Sequence, residues 1–226
     1  CQQLGETPQR FQVLQGLCRF HVNRAQLPAA GALAQELTDL AHRQPEAGPV
    51  LEGQAALGTV ALFRGDFVAA RAHLEHYYSC SDAPQPSAPI LYAEYCYRRG
   101  SYLAFLMQGL CGLCYAEQAQ QRRAEALALA QQCGDPASLA YAHMYGAVLA
   151  QLGRDAATTA AHAEALIAFA TAQGLAHRVV HGRLLLGWAL AMQGDAAAGV
   201  THLQAGFEGL QRTGHKLYRP YFLGLL

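Results

Sequence analysis

Apolar residues recur along this chain at three- and four-residue intervals, the spacing of helix faces. Leu27, Ala30, Ala34 and Leu37 fall on one side of such a helix. Phe67, Ala70, Leu74 and Tyr77 repeat the same offsets, and Val200, Leu203, Phe207 and Leu210 give a third copy. Period-two alternation is absent and β-branched residues are sparse beside Ala and Leu, so strands are not expected. A turn signal separates the helices: Arg24-Ala25-Gln26-Leu27, Arg64-Gly65-Asp66-Phe67, Cys114-Tyr115-Ala116-Glu117, Gly153-Arg154-Asp155-Ala156 and Gly194-Asp195-Ala196-Ala197. Its chemistry is that of a left-handed residue ending one helix and an acid capping the next. Anchored on Ala25, Gly65, Cys114, Gly153 and Gly194, the period is about 40 residues, longer once. Gly58, Gly146 and Gly187 hold equivalent places in the first helices of their units. A mid-helix glycine costs about 1 kcal/mol relative to alanine, so three in register predict close helix approach.

The expectation is an all-α fold: a right-handed superhelical stack of antiparallel helix pairs, a tetratricopeptide-like (TPR-like) solenoid over residues 1–226. About five pairs are expected, with a sixth first helix starting at Tyr221. Two connectors interrupt the pattern. Residues 41–49 contain Pro45, Gly48 and Pro49, and an irregular insertion at 79–100 contains Pro84, Pro86 and Pro89 followed by Tyr92, Tyr95 and Tyr97. The proline-rich part of that insertion reads as loop, and the tyrosine-rich part as a short extra helix on the stack or, alternatively, a flap across its groove. Cys1 at one end and the apolar run from Pro220 to Leu226 at the other read as boundaries within a longer protein.

Composition narrows the functions open to such a stack. Hydrophobic residues make up 52% and charged residues 14%, which excludes disorder from low hydrophobicity. Sixteen basic and sixteen acidic residues balance, so nucleic acid is not an expected partner. No apolar run reaches the roughly 20 residues of a membrane span, and a membrane is not expected either. Lys216 is the single lysine beside many arginines, a bias that fits a GC-rich bacterial gene. The seven cysteines are an odd number without a small-domain framework. They argue against disulfides and for a reducing, cytoplasmic setting.

Candidate chemistry is thin. Cys111 and Cys114 form a CxxC, but one late in a helix, without the strand before it that a redox motif needs or a second ligand pair for zinc. Free, half-buried thiols are expected. His73 with His76, and His177 with His181, share helix faces without a zinc signature and read as solvated or capping side chains. His162 aligns with Leu74 and Leu203 and is expected to be a partly buried, hydrogen-bonded histidine. Nucleophile elbow, P-loop and dinucleotide fingerprints are all missing. No enzyme, cofactor or metal site is expected.

Whole segments carry a more specific likeness. CQQLGETP at 1–8, RAHLE at 71–75, AEALIA at 163–168, GWALA at 187–191 and RPYFL at 219–223 follow one another in an order that resembles the helical-repeat region of bacterial multidomain signalling ATPases. In that family a class III adenylate/guanylate cyclase or a kinase precedes an AAA-like NTPase and a TPR tail. The resemblance covers essentially the whole chain and brings no catalytic residue with it. Arg123, at a position where a small or apolar residue is expected, and the stretch 79–100 depart from the pattern and predict irregular packing between the second and third units. The resemblance implies a non-catalytic regulatory or scaffolding module that binds a partner protein or other domains of the same polypeptide.

In such a stack the first helices make the concave face. Repeat register places Gln12, Arg19, Asn23, Glu52, Thr59, Gln108, His143, Gln151, His181 and Trp188 toward that groove, with Trp188 either an anchor for a ligand or part of the core. The competing reading is a small-molecule or peptide sensor whose ligand sits in the groove against Trp188, His181 and His143.

Overall fold

The structure, a computed structural model, describes residues 8–43, 47–80, 89–214 and 216–226. Cys1, Pro45, Pro84 and Pro86 lie outside the described residues, as does most of the 1–8 segment. The helices are α1 (Pro8–Asn23), α2 (Leu27–Ala41), α3 (Ala47–Arg64), α4 (Phe67–Ser79), α5 (Pro89–Gly112) and α6 (Ala116–Cys133). They continue with α7 (Pro136–Leu152), α8 (Ala156–Ala172), α9 (Ala176–Met192), α10 (Ala196–Thr213) and the short α11 (Arg219–Leu223). No strand occurs among the described residues. The chain is all-α, a right-handed stack of TPR-like helix pairs. Each odd-numbered helix from α1 to α9 packs on its successor, and those from α1 to α7 also on the next odd helix, so these first helices line one face.

The turn within each pair repeats one conformation. Ala25 (φ 57°), Gly65 (84°), Cys114 (65°), Arg154 (57°) and Gly194 (99°) are left-handed. Where the next residue is Asp, its side chain accepts from the backbone N–H three positions on: Asp66 from Ala69, Asp155 from Thr158 and Asp195 from Ala198. In the fourth unit the left-handed residue is Arg154, while Gly153 sits at φ −76°. The anchor on Gly153 is therefore one residue early. His162 then corresponds to His73, and Ala163, fully buried, takes the place of Leu74 and Leu203. The fifth unit also corrects the pattern, because α10 buries Gly199, Leu203, Gly206 and Leu210 while Val200 is exposed.

Small residues set the helix approach. A β-carbon on Gly58 would lie 2.9 Å from Leu74 Cγ, one on Gly146 3.0 Å from His162 Cε1, and one on Gly187 2.7 Å from the backbone oxygen of Gly199. Gly16, within α1, has nothing within 4 Å of such a carbon. Replacing it restores helix propensity without a clash, so Gly16→Ala should raise stability by about 0.5–1 kcal/mol. Denaturant titration measures this, and a loss of stability would contradict a helical Gly16.

Residues 89–100 are not a separate short helix. They form the first half of α5, which runs unbroken to Gly112 from Pro89, a residue suited to a first helical turn. The cysteine expectation is corrected too. Cys96 of α5 and Cys133 at the end of α6 are joined in a disulfide. The two stand equally far from the turn at Cys114 and Tyr115, and antiparallel helices bring such positions side by side. An odd count says nothing of that pairing, and the argument for a reducing compartment does not extend to it. Cys18 is buried, Cys111 half-buried, and Cys80 and Cys114 exposed, all as free thiols.

The end of the described chain departs from the stack. In place of a regular sixth first helix at Tyr221, residues 216–226 turn back across the concave face. The N–H groups of Lys216 and Leu217 donate to the Asn23 carbonyl at 3.0 and 3.3 Å, and Arg24 Nη1 donates to the Gly214 carbonyl at 3.3 Å. Leu217 packs against both hydrophobic clusters, the one within α1–α3 and the larger one running from α3 to α11.

Candidate functional site: the concave groove

The first helices meet the returning segment through a chain of aromatic and polar contacts. Tyr218, 8% exposed, stands edge-on to Phe63 of α3, and its hydroxyl bonds that of Tyr145 of α7 and receives the Gln108 amide of α5 at 3.5 Å. Phe222, fully buried, stacks on the His181 ring of α9 at 5.4 Å. Tyr221 donates to Gln151 Oε1 of α7 at 2.7 Å. Burial pushes the phenols of Tyr145 and Tyr218 far above their ordinary value, and that of Tyr141 up to about 12. All three are neutral hydroxyls at physiological pH, able both to donate and to accept.

At the α1 end, α3 supplies Glu52, which accepts from Gln15 Nε2 at 2.7 Å and from the Tyr102 hydroxyl at 2.9 Å. The Arg98 guanidinium of α5 lies 3.7 Å from the same carboxylate. Burial raises the Glu52 pKa while Arg98 opposes the rise. This cluster ties α1, α3 and α5 together. Between it and Tyr218 lies a cavity of about 190 Å³. Its wall is built from α1, α3, α5, α7, α9 and the returning segment.

Of the groove residues expected from register, Arg19, Asn23, Thr59 and His181 line this cavity. Glu52 sits beside it, and Gln108 and Gln151 hold Tyr218 and Tyr221. The other three lie elsewhere. Gln12 is exposed on α1 and lines no part of the cavity. Trp188 is 7% exposed within the main core cluster, so it packs in the core and is no groove anchor. His143 faces α8, its ring 5.8 Å from that of His162. Both misplacements have one cause: a first helix also buries the flanks that meet its own second helix, and register alone does not separate those flanks from the concave face.

Sequence reasoning passed over Arg98, Tyr102, Tyr141, Arg178 and Tyr218. For the two on α5 the signal was present. Tyr97, Ser101 and Phe105, with Arg98 and Tyr102 beside them, recur at four-residue spacing and form one face of α5. Reading 79–100 as an insertion hid that face.

The His143–His162 pair gives a pH dependence. Burial lowers both pKa values from 6.5, and for His162 the neighbouring His143 and Arg123 lower it further. A histidine whose folded pKa is depressed stabilises the fold above its unfolded pKa, and that contribution is lost as pH falls through the folded value. The stability contributed by this pair should therefore fall on acidification from about pH 7.5 to about pH 5, and His162→Gln should lose less stability over that range than the parent. Unfolding midpoints across the range, with equal slopes in both proteins, would contradict this.

No group of three or more metal-capable side chains exists among the described residues. No helix among them is long and apolar enough to cross a membrane.

No protein-family model matches the sequence, and no curated protein matches it. Solved structures do. The apo form of RapI superposes with a TM-score of 0.68 at 11% identity over 94% of this chain and 74% of that one. The nearly identical TPR-like repeats of a Podosopora anserina putative kinesin light chain superpose with a TM-score of 0.58 at 13% identity, covering 93% of this chain and 99% of theirs. A point variant of those repeats gives 0.59, again at 13% identity, over 92% of this chain and 98% of that one. The likeness is one of fold, that of TPR-like helical repeats.

Proposed function

We propose that this chain is a non-catalytic binding module whose concave groove receives a segment of a partner protein or of another domain of the same polypeptide. The observation that carries the reading is the returning segment 216–226. It occupies the groove through backbone hydrogen bonds to Asn23 and buried aromatic side chains, which is how a partner segment would be held. The resemblance to bacterial signalling ATPases supports a regulatory role in signal transduction, with a nucleotide cyclase or NTPase domain as the responding part.

A chain ending at Thr213 is expected to bind a synthetic peptide of residues 214–226 in trans, about tenfold or more tighter than the intact chain does, because the intact groove is already filled. Fluorescence anisotropy reads this. A truncated chain that stays helical yet does not bind the peptide would contradict the reading. In a parent protein, removal of residues 1–226 is expected to change nucleotide turnover, and unchanged turnover would refute the regulatory part.

A second reading, a small-molecule or peptide sensor, is favoured by the cavity of about 190 Å³ beneath Tyr218. Small-ligand pockets begin at about 300 Å³, and an engineered apolar cavity of roughly 150 Å³ binds benzene. The size suits a ligand of about ten non-hydrogen atoms.

A further inference from the structure

We propose that this cavity is a site for a small organic oxyanion with a planar apolar body, seated on Arg178 and Arg98. The inference rests on the sensor reading above and gives its ligand a chemical class.

Arg178 lies in α9 and is 8% exposed. Its guanidinium sits 4.3 Å from the centre of the Tyr141 ring, and Nη1 contacts Met144 Sδ at 3.0 Å. Among the described residues no carboxylate pairs with it. An aromatic face and a thioether stabilise a cation weakly, and a buried guanidinium without a counter-charge is costly. Arg98, on α5, is paired through Nη1 with Glu52 at 3.7 Å and Glu94 at 4.0 Å, but its Nε is buried and meets no acceptor. Arg19, an exposed residue of α1, adds a third guanidinium to the wall, and no Asp or Glu lines the cavity at all. Glu52 is already engaged by Gln15, Tyr102 and Arg98.

The wall therefore offers one buried guanidinium, that of Arg178, with no carboxylate partner among the described residues, and an unmet donor at Arg98 Nε. An oxyanion is the complement: its two or three oxygens accept from guanidinium forks, and its low-dielectric seat strengthens the attraction. The rest of the wall selects the body of the ligand. Tyr97, Tyr102, Phe105, Tyr141 and Tyr218 surround the space with rings, which favour a flat apolar group.

The test is calorimetric titration of the full chain with benzoate, phenyl phosphate and the neutral isostere benzamide. At least one of the anions is expected to bind about tenfold or more tighter than benzamide. Benzoate and phenyl phosphate distinguish a carboxylate from a phosphomonoester as the preferred group. Arg178→Met is expected to abolish that preference, while Arg183→Met, at an exposed position on the same helix, leaves it unchanged. If Arg178→Met does not fold, Arg19→Met provides the same test from an exposed position and is expected to weaken the anion by about threefold or more. Equal binding of benzoate, phenyl phosphate and benzamide, no binding of either anion at concentrations on the order of 10 mM, or anion binding unaffected by the arginine substitutions would overturn the proposal. Peptide 214–226 binding to the truncated chain is independent of these outcomes. Its success alongside failed anion titrations removes this inference and leaves the segment-binding groove in place.

Discussion

Gly187→Val should destabilise the chain by more than about 3 kcal/mol, a shift in unfolding midpoint of roughly 6–12 °C for a chain of this size. The reason is where the new atoms would go. A β-carbon at Gly187 would lie 2.7 Å from the backbone oxygen of Gly199 and 2.9 Å from the backbone nitrogen of Leu203. Both belong to the α10 main chain, so no rotamer change relieves the contact. Valine also directs a methyl group into the same space and prefers a helix less than alanine does. The reciprocal contact is equally close, since a β-carbon at Gly199 would meet the Gly187 oxygen at 2.8 Å. Gly199→Val should therefore cost a similar amount, and the double variant should show no rescue. Calorimetric scans of the variants against Gly16→Ala, which adds a methyl group in open space, separate the packing effect from helix propensity. A Gly187→Val protein as stable as the parent would mean that α9 and α10 do not approach as described.

Phe222→Ala should free the returning segment while leaving the repeat stack folded. Phe222 is fully buried, and its ring stacks on His181 and lies against Tyr218 and Tyr221. Loss of such a ring costs about 3–5 kcal/mol when the surroundings cannot collapse around the space. Here the cost falls on a segment held to the stack by two backbone hydrogen bonds and a few side chains, so local opening is the cheaper response. Lys216, the single lysine, reports it directly. A lysine-specific endoprotease should cut the variant there about 100-fold faster than the parent, since about 1.4 kcal/mol corresponds to a factor of ten. Helical circular dichroism should fall only slightly, because the segment contributes one helix of five residues. Unchanged cleavage would mean that Phe222 does not anchor the segment, and global unfolding would make the segment part of the core.

Much of the fold was legible in residue spacing. Leu27, Ala30, Ala34 and Leu37, repeated at Phe67, Ala70, Leu74 and Tyr77, mark the inner faces of second helices, and the turn at Gly65 and Asp66 marks the hairpin. The fourth turn was misread by one residue because Gly153 is the residue type that favours a left-handed turn, whereas the backbone places Arg154 there. Helix context decides such a position, and residue type alone does not. The groove was legible only in part for a similar reason. Thr59, His181 and Asn23 fall on the concave side of their helices by register, but Trp188 and His143 occupy flanks that look the same in one dimension. The returning segment was outside the reach of periodicity. Tyr218 meets Phe63 and Tyr145 across long stretches of sequence, and no local pattern announces a contact of that range.

Amide hydrogen exchange at Lys216 and Leu217 tests most directly whether the concave face holds residues 216–226 as a bound segment, because both N–H groups donate to the Asn23 carbonyl across the groove. Protection of both amides by about 100-fold or more over free-peptide rates, lost in Phe222→Ala, is the predicted result. Exchange at free-peptide rates in the parent chain would contradict it.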